Sequence, residues 1–120
     1  MPALSLVILY VNDPPASAAF YASLLGQEPA EAYLTFAMFA LPSGAGLGLW
    51  SRHTIEPTAT AAGGGTEVAF TVEDVDAVHA DWTARGLTIA QAPTDMDFGR
   101  TFVALDPDGH RLRVFAPAAP

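Results

Sequence analysis

Residues 4–26, LSLVILYVNDPPASAAFYASLLG, decide the fold. Leu4 to Val11 is a run rich in β-branched and other apolar residues, the composition of a buried strand. Asn12 or Asp13 can cap the helix that follows, and Pro14-Pro15 suit a first turn where no N–H is needed. From Ala16 to Leu25, Phe20, Tyr21, Leu24 and Leu25 fall on one helical face. Gly26 then stands where a helix end needs a residue able to take positive φ. Downstream, Tyr33 to Leu41 reads as a strand, Pro42 to Gly46 as a turn and Leu47 to Ser51 as a further strand.

The second half repeats this plan. Glu67 to Val72 reads as a strand, Asp74 as the cap of a helix running to Arg85, and Gly86 as its stop. Val75, Val78 and Trp82 recur there at helical spacing. A strand is expected near Leu87 to Ala90 and another from Arg100 to Leu105. The turn Asp106-Pro107-Asp108-Gly109 and the strand Arg111 to Phe115 follow. Laying Val11 on Val72 also lays Asp13 on Asp74 and Tyr21 on Trp82, with Gly26 one residue from Gly86. The chain is thus expected to be one α+β domain over residues 1–120, built of two tandem βαβββ modules. Module one covers residues 1–60 and module two residues 66–116, joined by the Gly-rich linker Ala61 to Gly65. Each module has one helix and can cover only one face of its sheet. Two such sheets facing each other make a cleft lined by inward side chains of both.

Composition narrows the function. A chain of 120 residues fits one domain, which at this size needs no disulfide or metal staple. It has no cysteine, which removes thiol nucleophiles and Cys-ligated zinc. Its net charge is −8, and its five basic residues are all arginine. Nucleic acid wants clustered cations and an anionic membrane surface repels acidic proteins, so neither partner is expected. The start shows no basic segment followed by an apolar run, and no apolar stretch approaches a membrane span. Cytoplasm is the expected compartment.

The run Leu9-Tyr-Val-Asn-Asp-Pro14, then Ala19-Phe-Tyr21 with Leu25-Gly26, and Asp106-Pro-Asp-Gly109 before the last strand resemble the vicinal-oxygen-chelate superfamily. That superfamily includes glyoxalase I, bleomycin-resistance proteins and extradiol dioxygenases. Phe98-Gly-Arg-Thr-Phe102, Asp106-Pro-Asp-Gly-His110, Arg113-Val114, Leu49-Trp-Ser51 and Glu67 are most similar to its phenazine-antibiotic-resistance branch. The resemblance implies the glyoxalase/bleomycin-resistance fold and an intertwined homodimer whose modules pair with those of the partner. It also places metal ligands, in the metal-dependent members, at positions that here are Leu6, Gly48, Glu67 and Arg113. Of these only Glu67 is a donor, and the fixed charge of Arg113 opposes a cation. At about 4 Å and an effective dielectric near 20, that repulsion is on the order of 4 kcal/mol per unit charge. No metal and no other cofactor are expected.

The candidate ligand-binding residues are Trp50, Glu67, Arg113, Phe98, Arg100, Met96 and Tyr10. Trp50 shares strand parity with Gly48, and a flat indole beside a glycine makes a shelf for a planar ligand; the plain alternative is a core tryptophan. By the resemblance, Glu67 and Arg113 sit on neighbouring strands, as a pair that orients a ligand or simply seals the sheet. Met96, Phe98 and Arg100 read as an irregular segment, with Gly99 as a bend, that the resemblance makes a flap with an aromatic wall. Tyr10 can present a hydroxyl to the cleft or be an ordinary strand tyrosine. His53, His79 and His110 do not gather in sequence, and no catalytic residue is expected. The expected function is metal-independent sequestration of a planar aromatic antibiotic of phenazine type. The alternatives are a lyase or dioxygenase-like enzyme of the superfamily, a metal-free isomerase using Glu67 as base, and an interaction module whose cleft its own side chains fill.

Overall fold

Asp13 begins the first helix. Its backbone is extended (φ −140°, ψ 93°) and its carboxylate accepts the N–H of Ala16 at 3.2 Å. Strand β1 (Leu6–Val11) therefore passes directly into α1 (Pro14–Leu25), with prolines at the first two positions. Gly26 ends α1 in the left-handed region, φ 66°, returning its N–H to Ala22 O. These features are seen in a computed structural model that describes residues 1–119.

The stretch read as one strand from Tyr33 to Leu41 is a hairpin. β2 (Glu31–Ala32) pairs antiparallel with β3 (Phe36–Ala40), and Tyr33 lies in the turn, its N–H returning to Phe36 O. β4 (Gly46–Ser51) then inserts between β3 and β1, antiparallel to the first and parallel to the second, giving the order β1-β4-β3-β2. Leu9, Val11, Ala37, Phe39, Leu47 and Leu49 point to the α1 side and are buried with Ala18 and Tyr21. Burial of each large apolar side chain contributes roughly 1.5–3 kcal/mol.

The second unit repeats the topology: β5 (Glu67–Thr71), α2 (Val75–Ala84), β6 (Thr88–Met96), β7 (Gly99–Leu105) and β8 (Arg111–Pro117), in the order β5-β8-β7-β6. Asp74 caps α2 through the N–H of Ala77 at 3.0 Å. Trp82 of α2 meets Phe70 and Phe102 edge to face at 5.5 and 5.6 Å, so these two rings mark the helix side of the sheet. Thr101, Arg113 and Phe115, one residue out of phase with Phe102 and Val114, take the other side. The chain divides into a unit Met1–Ala62 and a second beginning at Gly63, inside the Gly-rich segment.

β6 is longer than its sequence suggests. It continues through Pro93 to Met96 by way of two irregularities of register, and only Asp97 and Phe98 join it to β7. The segment read as irregular before β7 is thus the tip of a long hairpin. Gly99 is required there: at φ 140° its Cα lies so near Ala116 that an added Cβ would fall 2.0 Å from the carbonyl oxygen. At the far end of β7, Asp106 folds the DPDG turn by accepting the N–H groups of Asp108 and His110 at 2.9 and 2.8 Å.

Candidate ligand-binding faces

With α1 covering one side of the first sheet, Leu6, Ile8, Tyr10, Phe36, Met38 and Trp50 form the other. Gly46 and Gly48 run between them. A Cβ on Gly48 would come within 3.2 Å of both Ile8 and the Phe36 ring, and one on Gly46 within 2.9 Å of Leu6. The glycines let these neighbours lean over the strand. Trp50 stands next in line and meets the Phe36 ring edge to face at 6.4 Å. Leu6 and Ile8 remain well exposed, while Tyr10 and Trp50 are half-buried.

On the second unit the open face centres on Arg113. β5 and β8 are parallel neighbours, and Glu67 reaches diagonally along the pair to Arg113. The contact is bidentate, Nε to Oε1 at 2.7 Å and Nη2 to Oε2 at 2.9 Å. Nη1 of Arg113 donates to Thr101 Oγ1 at 3.2 Å, and that hydroxyl donates onward to Val114 O at 2.8 Å. The guanidinium carbon lies 5.8 Å from the centre of the Phe98 ring, and Phe98 meets Phe115 edge to face at 6.0 Å. The result is a fixed cation beside an aromatic wall. Hydrogen bonding from Arg113 outweighs desolvation and holds the Glu67 carboxyl below its ordinary value, and the charges of Arg113 and Arg111 lower it further. Glu67 is therefore an ionised acceptor and a weakened general base.

Phe98 and Arg113 of the sequence candidates come together, and Met96 ends the strand two residues before Phe98, half exposed. Arg100 does not join them. It shares parity with Phe102, turns toward α2 and donates to both carboxylate oxygens of Asp76 at 2.8 and 3.0 Å and to Asp95 at 3.0 Å. It staples the hairpin to the helix. Sequence reasoning passed over Phe115 and Thr101, although Phe115 alternates with Arg113 and was within reach of a period-two reading. His53 binds Asn12, with Nε2 2.7 Å from Oδ1. A surface hollow of about 510 Å³ lies among Pro15, Ala18, Tyr33, Leu34 and Ala37 on the helix side of the first sheet. It contains none of the candidate residues and no charged group.

A family model, Glyoxalase/Bleomycin resistance protein/Dioxygenase superfamily, matches residues 3–114. The chain belongs to this superfamily. The phenazine antibiotic resistance protein EhpR of Enterobacter agglomerans is 32% identical over 117 residues, covering 92% of this chain and 88% of that protein. The solution structure of protein ATC0852 from Agrobacterium tumefaciens is 52% identical with a TM-score of 0.91, covering 99% of this chain and all of that one. A glyoxalase-related enzyme from Fulvimarina pelagi, 20% identical, shares the fold with a TM-score of 0.83 over 97% of this chain and 88% of its own. The two four-stranded sheets, each with one helix, are the glyoxalase fold.

Metal-dependent members of the superfamily raise the question of a metal. Leu6 and Gly48 offer no donor, and both oxygens of Glu67 are taken by the guanidinium of Arg113. Among the described residues no three His, Asp or Glu side chains gather as a metal-binding group. These residues do not fit a divalent ion. No helix among the described residues is long and apolar enough to cross a membrane.

Proposed function

We propose that the protein binds a planar aromatic small molecule of phenazine type without covalent chemistry and confers resistance by sequestering it. The observation that carries this reading is the Arg113 guanidinium, fixed by Glu67 and set beside Phe98 on the open face of the second sheet. A ligand on that face would lose water against Phe98 and Phe115 and be oriented by one pre-ordered cation. Trp50, beside the glycine track and with Tyr10 on the same face, supplies the shelf on the first unit, and Met96 borders the second. The 32% identity to a phenazine antibiotic resistance protein supports the ligand class.

The proposal includes a homodimer, because each sheet keeps an apolar face that its own helix does not cover. It also places the protein in the cytoplasm, between an entering compound and that compound's target. Stoichiometric protection needs a dissociation constant at or below micromolar, about −8 kcal/mol. Isothermal titration with a phenazine, followed by chromatography of the recovered compound, tests the reading. Saturable binding with the compound returned unchanged is expected. Consumption of the compound would favour an enzyme of the same superfamily, and no saturable heat would remove the ligand class.

A further inference from the structure

Three of the five arginines are ion-paired: Arg85 with Asp81, Arg100 with Asp76 and Asp95, and Arg113 with Glu67. A fourth, Arg111, lies near enough to Glu67 to lower its pKa. Arg52 forms no ion pair among the described residues, in a chain whose net charge is −8. It follows directly on β4 and lines a hollow of about 250 Å³ together with His53 and residues 59–62.

The platform under Arg52 and His53 is built. The N–H of Arg52 donates to Val11 O at 2.8 Å, and the N–H of His53 donates to Ser51 Oγ at 3.2 Å. Thr54 and Ile55 both return their N–H groups to Ser51 O, and Ile55 is buried beneath the turn. Asn12 Oδ1 accepts from Nε2 of His53 at 2.7 Å, which fixes the ring and leaves Nδ1 as its second polar atom. Among the described residues, none of the backbone N–H groups of residues 59–62 donates to a carbonyl. Arg52 without an ion pair, His53 with its ring held by Asn12, and a run of residues whose N–H groups make no backbone hydrogen bond thus line one small hollow. Its lining holds no Phe, Tyr or Trp ring, which separates it from the ligand-binding faces.

We propose that this hollow is a binding site for a small oxyanion, received in the fork of Arg52 and by the N–H groups of the facing segment. The chemistry suits inorganic phosphate or a short carboxylate equally, and the test separates them. The full-length protein, labelled with nitrogen-15, is titrated with orthophosphate and separately with succinate at constant ionic strength, while amide shifts are followed. Saturable shifts confined to Arg52, His53 and residues 59–62 are expected, and the anion that saturates at lower concentration identifies the source. Arg52→Gln, at an exposed position, should weaken that binding at least ten-fold, whereas Arg85→Gln should leave it unchanged. Unsaturable shifts spread over the surface with both anions, or undiminished binding by Arg52→Gln, would overturn the proposal.

Discussion

Arg113 presents its fork to Glu67 and its flank to Phe98, so one side chain joins the charged and aromatic parts of the second unit's open face. Because the folded pKa of Glu67 is depressed, the stability it adds is complete above the unfolded carboxylate value. It is lost as pH falls through the depressed folded value. Urea midpoints followed from about neutral to about pH 3 should therefore drop less for Glu67→Gln than for the parent; parallel curves would mean that the pair adds no stability. Arg100 makes the opposite case, a cation whose partners lie on the helix and the hairpin rather than on the open face. Arg100→Met should lower the urea midpoint only slightly and leave the affinity of the folded protein unchanged. The placement of Arg113 and Glu67 on neighbouring strands was legible from the resemblance. The role of Arg100 was not, because its partners, Asp76 and Asp95, are fixed by tertiary packing. Its side was nonetheless written in its alternation with Phe102.

Helix ends were the most legible elements, since Asp13, Asp74, Gly26 and Gly86 act through local chemistry that needs no distant partner. Asp74→Ala should cost about 1 kcal/mol of unfolding free energy by chemical denaturation. The hairpins were less legible. β2 has two residues, too few to show any period, and Pro93 hides the continuation of β6, whose irregular register breaks the alternation. Gly99 is the residue that permits the long β6–β7 hairpin to close on β8. Gly99→Ala combines a collision with Ala116 O and a φ of 140°, and should destabilise by roughly 1–3 kcal/mol or more. A thermal midpoint equal to that of the parent would show that the hairpin tip relaxes freely.

At the scale of the molecule, the repeat seen in the sequence reappears as two sheets of the same order, each with one helix and one uncovered face. The βαβββ plan was legible because caps, helix lengths and stops recur in register. Which side chains line each open face was legible only where alternation was regular, as from Arg111 to Phe115; the parity of Phe36 and Met38 needed the structure. Sedimentation at micromolar concentration should give a dimer, and a single monomeric species would contradict the proposed assembly. The most direct measurement of the account is quenching of tryptophan fluorescence by a phenazine in the parent, in Trp50→Ala and in the control Trp82→Phe. Trp82 packs against Phe70 and Phe102 on the helix side, so its replacement should alter stability but not the affinity of folded protein. Saturable quenching is expected in the parent, with binding weakened by about 1–3 kcal/mol in Trp50→Ala. A folded Trp50→Ala protein that binds as tightly as the parent would contradict it.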